Sequence, residues 1–197
     1  MNACPWIYFN GSPGVGKLTI AKQLRDLIPG SKVIHNHLVI ELCLGAFERG
    51  SQEYEDLRKA VRNEVLSAIS TSEKGRETTY IFTGSHGADT SVGPMIARQH
   101  SDHAKAQNIP FISVIMTCEE EEHLRRVTSA DRKFKLNDID SLKKTVSSGE
   151  LFAFQCEYEI NPLDVTNLSP LEGAKVIYDF IQECMTKEKL KSTHTTS

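Results

Sequence analysis

The sequence predicts an α/β protein, a five-stranded parallel sheet with helices on both faces, and three observations predict it. Short apolar runs alternate with longer stretches of helical periodicity, the pattern of strands joined by crossover helices. The runs are apolar on both faces or nearly so, as strands buried in a parallel sheet are. A glycine-rich turn, GSPGVGKLT from Gly11 to Thr19, joins the first run to the first helical stretch.

The elements follow in order. WIYF (Trp6–Phe9) is the first strand. Leu18, Ala21, Leu24 and Ile28 recur at helical spacing, and that helix stops at Pro29-Gly30. KVIH (Lys32–His35) is the second strand, and Tyr54, Leu57, Val61, Val65 and Ala68 mark a helix before Gly75. TYIFT (Thr79–Thr83) is the third strand, with a helix expected from about Thr90 that Asp89 would cap. FISVIM (Phe111–Met116) is the fourth, with Thr117 and Glu120 spaced as a capping pair before Leu124. PLDVT (Pro162–Thr166) is a weaker fifth strand. Ser169, Pro170 and Glu172 then spell a helix start: cap, first-turn proline and capping-box glutamate. No internal repeat or linker interrupts the chain. Residues 1–185 read as one domain and residues 186–197 as a polar tail expected to fray.

The totals restrict the function classes. A chain of 197 residues suits one domain with a sizeable core. A net charge of −3 and a pI near 6.2 give no reason to expect nucleic-acid binding. Cys4, Cys43, Cys118, Cys156 and Cys184 are widely spaced, which argues against a disulfide framework or a metal knuckle and for free thiols. No signal-peptide plan and no membrane-length apolar run is present, so a cytoplasmic globular protein is expected.

The turn carries the chemistry. Gly11, Ser12, Pro13, Gly14, Val15, Gly16, Lys17, Leu18 and Thr19 follow a buried strand and open an amphipathic helix, the setting of a phosphate-binding loop. Glycines let backbone N–H groups converge on phosphate oxygens, and the helix dipole adds positive potential. Lys17 would bridge the β- and γ-phosphates. The next residue usually places a hydroxyl on Mg²⁺, and Leu18 has none. The metal would then be held by phosphates and water, which Mg²⁺ tolerates, with Thr19 or Asp89 as alternative ligands.

With these residues the chain resembles the small P-loop (Walker A) kinases: shikimate, gluconate and adenylate kinases and chloramphenicol phosphotransferases. The resemblance runs from Trp6 to about Cys184. PGVGKLT followed by HNHL also resembles a group of kinase-like proteins labelled simply as ATPases. The resemblance implies a three-layer P-loop NTPase fold with an arginine-rich lid at about residues 123–150, within HLRRVTSADRKFK and beyond. Arg126 and Arg132 would close on the phosphates, while Arg125 would pair with Glu119–Glu122. Asp164–Asn167 would form the adenine-side corner. Where shikimate and gluconate kinases carry acidic residues after the second strand, this chain has His35, Asn36 and His37. The two histidines would point the same way from an extended segment, towards the site. Thr83 stands where many such proteins place an acidic Mg²⁺ support.

The acceptor would meet His35, Arg58, Ser85 and His86, with His37 or His35, or less favourably Asp89, orienting its hydroxyl. His100 and His103, three apart on a helix, read as exposed rather than as metal ligands. The expected function is an ATP- and Mg²⁺-dependent transfer of the γ-phosphate to a hydroxyl of a small molecule. The alternative is a nucleotide-binding regulatory protein or an NTPase with little kinase activity, although no Asn-Lys-x-Asp guanine motif is present. Acceptor identity, ATP against GTP, and oligomeric state stay open.

Overall fold

A computed structural model describes residues 3–89, 92–128 and 150–194. The strands are β1 (Trp6–Gly11), β2 (Lys32–His35), β3 (Tyr80–Thr83), β4 (Phe111–Thr117) and β5 (Tyr158–Asp164). The helices are α1 (Lys17–Leu27), α2 (Asn36–Leu44), α3 (Gln52–Thr71), α4 (Glu73–Arg76), α5 (Val92–Ala106), α6 (Glu120–Thr128) and α7 (Pro170–His194). The strands form one sheet in the order β2-β3-β1-β4-β5, every pair parallel. The central strand β1 is buried along its whole length and delivers the glycine-rich loop at its carboxyl end.

Strand alternation sorts the core into two layers. Ile7 and Phe9 face one way, into a layer with Leu24 of α1 and Ala174, Ile177 and Ile181 of α7. Trp6 and Tyr8 face the other, with Leu66 of α3, Phe82 and Ala97 of α5. Gly173 lets α7 close on α1: a Cβ there would lie 3.0 Å from Ile20 Cδ1.

Several local expectations change. α3 buries Tyr54, Arg62, Leu66 and Ser70, while Ala68 is exposed, so its inner face is rotated from the apolar stripe and includes a charged residue. β5 starts four residues before Pro162, at Tyr158; it is an edge strand, where a proline costs no ladder bond. Residues 36 and 37 are not extended: Asn36 opens α2, whose amide is received by Thr83 Oγ1 at 3.3 Å. The first turn of α6 is served by Thr166, whose Oγ1 accepts from the Glu119 amide at 2.8 Å, in place of Thr117. The Ser169–Glu172 box forms as expected, with reciprocal bonds of 2.8 and 3.3 Å. Beyond Cys184 the chain continues as helix to His194, and Lys191 ties α7 to Glu157 and Tyr158. His100 is buried, not exposed, its ring edge-on to Tyr8 and Phe82 at 4.7 and 5.0 Å.

No helix among the described residues is long and apolar enough to cross a membrane. All five cysteines are free thiols.

Candidate functional site

The loop between β1 and α1 is shaped by close approach and by left-handed backbone. A Cβ on Gly11 would sit 2.8 Å from the Met116 carbonyl oxygen, so only glycine lets β1 leave the sheet there. Gly14 and Gly16 have φ of 93° and 113°, the region that favours glycine. Gly16 is the N-cap of α1 and offers no side-chain cap, so the start of α1 is shaped for an anion rather than closed by a serine or aspartate. Lys17 folds across the loop, and its Nζ donates to the carbonyls of Gly11 and Ser12 at 2.6 and 2.9 Å. Leu18 is half-buried and Thr19 exposed on the first turn.

α6 grips the loop from outside. His123 is 3% exposed, and its Nε2 donates to the Pro13 carbonyl at 2.8 Å. Arg126 donates Nη1 to Val15 O at 3.0 Å and Nη2 to the carbonyls of Val165 and Thr166 at 2.8 and 3.0 Å. Its Nε meets Glu122 at 2.7 Å. Arg126 thus braces the loop against the β5–α7 turn, with donors engaged on main chain and on Glu122. Arg125 pairs with Glu122 as expected, at 2.7 Å to Oε1. The two guanidinium bonds pull the Glu122 carboxyl down to about 2. The turn that follows β5 is internally tied: Asp164 Oδ1 accepts from the amide and hydroxyl of Thr166 at 2.9 and 2.6 Å. Arg132 and the expected lid beyond residue 128 lie outside the described residues.

The β3 end builds the opposite wall. Asn10, fully buried, accepts from the His86 amide at 2.8 Å and donates to the carbonyls of His86 and Phe152 at 2.9 and 2.8 Å. Phe152 N returns a bond to His86 O, and Ala88 N bonds Glu150 O at 2.7 Å. The 83–89 loop is thus fastened to residues 150–152. Gly84 lies beneath the Tyr8 hydroxyl, 2.0 Å from where a Cβ would stand. Ser85 and Asp89 are exposed, whereas His86 is buried. Burial, followed by the nearby Arg62, Lys17 and Arg58 charges, lowers the His86 pKa to about 4, so at neutral pH its ring is uncharged.

A cavity of about 30 Å³ opens at the ends of β2 and β3, lined by His35, Thr83, His86, His100, Tyr8 and Arg62 among others. Of the acceptor-contact residues read from the sequence, His35 and His86 line it; Ser85 does not, and Arg58 stands one turn from Arg62 on α3. Arg58 pairs with Glu55 at 3.2 Å and lies over the Tyr54 ring. His37 is exposed in the first turn of α2, its ring 6.2 Å from that of His35. The sequence assigns no site role to Arg62 or Asn10 and places His123 only within the lid segment. Arg62 looked like a polar-face residue of an amphipathic helix, and His123 was lost in an arginine-rich run; only their burial marks them.

The glycine loop and the uncapped α1 fit a chain of phosphates. No group of three or more His, Cys, Asp or Glu among the described residues is placed to hold a metal, so Mg²⁺ would be held mainly by phosphates and water, with at most a single side chain such as Thr19 or Asp89.

No family model matches the sequence, and no curated protein matches it. Solved structures do. A protein of Chloroflexus aurantiacus provisionally named a kinase superposes with a TM-score of 0.69 at 12% identity, over 93% of this chain and 98% of that one. The APS kinase CysC of Mycobacterium tuberculosis, solved with AMPPNP and APS, gives 0.60 at 12% identity, over 92% and 99%. A gluconokinase from Sinorhizobium meliloti gives 0.60 at 11%, over 98% and 99%. At such identities the likeness is one of fold, and it agrees with the sheet order and the loop: this chain has the fold of the small P-loop kinases.

Proposed function

We propose that the protein is an ATP-dependent phosphotransferase that moves the γ-phosphate to a hydroxyl of a small molecule. The observation that carries the reading is the start of α1: an uncapped helix entered through Gly14 and Gly16, with Lys17 on its first turn, at the end of the central strand. The first-turn amides and the helix dipole bind phosphate oxygens, and Lys17 exchanges the carbonyls of Gly11 and Ser12 for the β- and γ-phosphates. The acceptor oxygen forms a bond to the γ-phosphorus as the bridge to the β-phosphate breaks, ADP leaves, and the hydroxyl proton passes to His35, His37 or water. Mg²⁺, when bound with the nucleotide, neutralises charge on the phosphate oxygens. Positioning counts for more than base strength in this chemistry.

Two features favour a second reading, a nucleotide-binding regulator or NTPase with little transfer. Leu18 replaces the usual hydroxyl, and Thr83 is engaged as the acceptor of the Asn36 amide.

Calorimetry with ATP, with and without Mg²⁺, followed by ADP release against a pooled metabolite library, separates them. The phosphotransferase shows Mg²⁺-dependent binding and release stimulated by an acceptor. The regulator binds without either. Lys17→Ala is expected to abolish turnover with unchanged circular dichroism; full activity in that variant rejects both readings of the loop.

A further inference from the structure

The outer face of α2 is apolar where a solvated helix carries polar residues. Leu38 and Leu42, four residues apart on one face, are 49% and 59% exposed, and Leu44 and Phe47 are 45% and 42% exposed. The inner face is already used: Cys43 is fully buried, and Val39 lines the cavity at the ends of β2 and β3. A helix that is apolar all round is ordinarily covered all round, and α2 is covered on one side only. The turn after it is held in place. The Gly45 amide donates to Glu41 O at 3.1 Å, and the amides of Ala46 and Phe47 donate to Cys43 O at 3.1 and 2.9 Å, which fixes Phe47 at the end of the helix. Elsewhere among the described residues, exposed large apolar side chains are more scattered: Val92 and Met95 on α5, and Leu171, Val176 and Leu190 on α7. The four of α2 and its turn together expose roughly 400 Å², the size at which a patch on a monomer marks an interaction site.

The rim selects the occupant. Glu41 lies within the face, three residues from Leu38, and Glu48 and Arg49 follow Phe47. All three are exposed, and none is in an ion pair among the described residues. A helix that lies on a membrane has a basic rim, whereas this one has two carboxylates to one guanidinium. A partner of a single strong charge would set one sign of the rim against its like. A second copy brings both signs in the same proportion, and a two-fold contact doubles the apolar area to roughly 800 Å². Rim and main chain added to that reach the range of stable interfaces, about 1,200–2,000 Å². We propose that the protein is a homodimer, closed by an isologous contact in which α2 packs on α2 with Leu38, Leu42, Leu44 and Phe47 at its apolar centre. His35 is the N-cap of α2 and His37 lies in its first turn, so the contact buttresses one wall of the candidate site. The dimer itself does not rest on the phosphotransferase reading.

Sedimentation velocity on the full chain, from about 1 to about 100 µM, tests it. Wild type should sediment at twice the 22.0 kDa chain mass, with a dissociation constant in the micromolar range or tighter. Leu42→Glu places a carboxylate in the contact twice, once from each copy, and should weaken association at least about 100-fold. Its circular dichroism should not change, because Leu42 is more than half exposed. Leu38→Asp should act in the same way and carries the readout if Leu42→Glu does not fold. Leu190→Glu changes a leucine of similar exposure, 57%, on α7 and should sediment as wild type does. A wild type that is monomeric across the whole range overturns the inference and leaves the face to a cover from within the chain or to another partner. A dimer that persists in both folded α2 variants overturns it, as does one that Leu190→Glu disrupts to the same degree. Species that grow beyond the dimer with concentration mean an open contact and overturn the isologous one.

Discussion

Asn10 makes three buried hydrogen bonds that join the strand before the glycine-rich loop to the 83–89 loop and to residues 150–152. No other side chain can copy one acceptor and two donors at that place. Asn10→Ala would leave the His86 amide and the Phe152 carbonyl without partners, at about 1–3 kcal/mol each where water cannot enter, while the His86 carbonyl keeps its bond from Phe152 N. A loss of about 3 kcal/mol or more in urea unfolding is expected, with a loop that no longer holds His86. Such residues were hard to read from the sequence. Asn10 sits at the end of an apolar run and looks like the start of a turn. Arg62 and His123 are polar letters in helices, and only the packed structure shows that each is buried. The loop itself was legible, because strand, glycines, lysine and helix are contiguous and depend on local geometry alone.

Among the elements, legibility followed the strength of the period. β1, β3 and β4 are apolar on both faces and lie within two residues of where they were expected, whereas β5 carries Glu159 and Pro162 and was found only at its far end. α2 went unread because NHLVIELCL is apolar around most of its circumference and has no stripe. α7 was legible at its start and not at its end. Its capping box is written in the sequence, and its last turns are held by Lys191 reaching Glu157 and Tyr158, thirty-four and thirty-three residues back. Ser169→Ala should therefore cost about 1 kcal/mol, the usual worth of such a cap, and lower Tm by about 2–4 °C. A change beyond about 3 kcal/mol in a calorimetric scan would mean that the box supports more than its own helix.

Over the whole molecule, the buried histidines set the acid side of stability. The folded-state pKa values of His86 and His100 are depressed to about 4 and about 3, against an ordinary 6.5. The unfolded chain binds these protons first, so their contribution is complete above pH 6.5 and is lost as pH falls towards 4 and then 3. Between pH 7 and 5 each histidine should remove roughly 2 kcal/mol. Glu122, depressed to about 2, acts with the same sign lower down, below its ordinary value of 4.5. Urea midpoints measured from pH 7.5 to 4.5 should fall steadily, and His86→Gln should flatten the slope. A midpoint that is level across that range would mean that both rings are open to water. The sheet order that gathers these groups was foreseen only as a class; which strand stands beside which depends on crossovers that no single segment encodes.

The grip of α6 on the loop has one more result. His123 and Arg126 hold the loop by the carbonyl oxygens of Pro13 and Val15. In a planar trans peptide the carbonyl and the next amide point in opposite directions. Fixing those two oxygens towards α6 turns the N–H bonds of Gly14 and Gly16 the other way, to the inner side of the loop. The polarity of the glycine-rich loop is thus set from behind, by side chains on its outer side, and α6 acts as the hand that aims the dipoles.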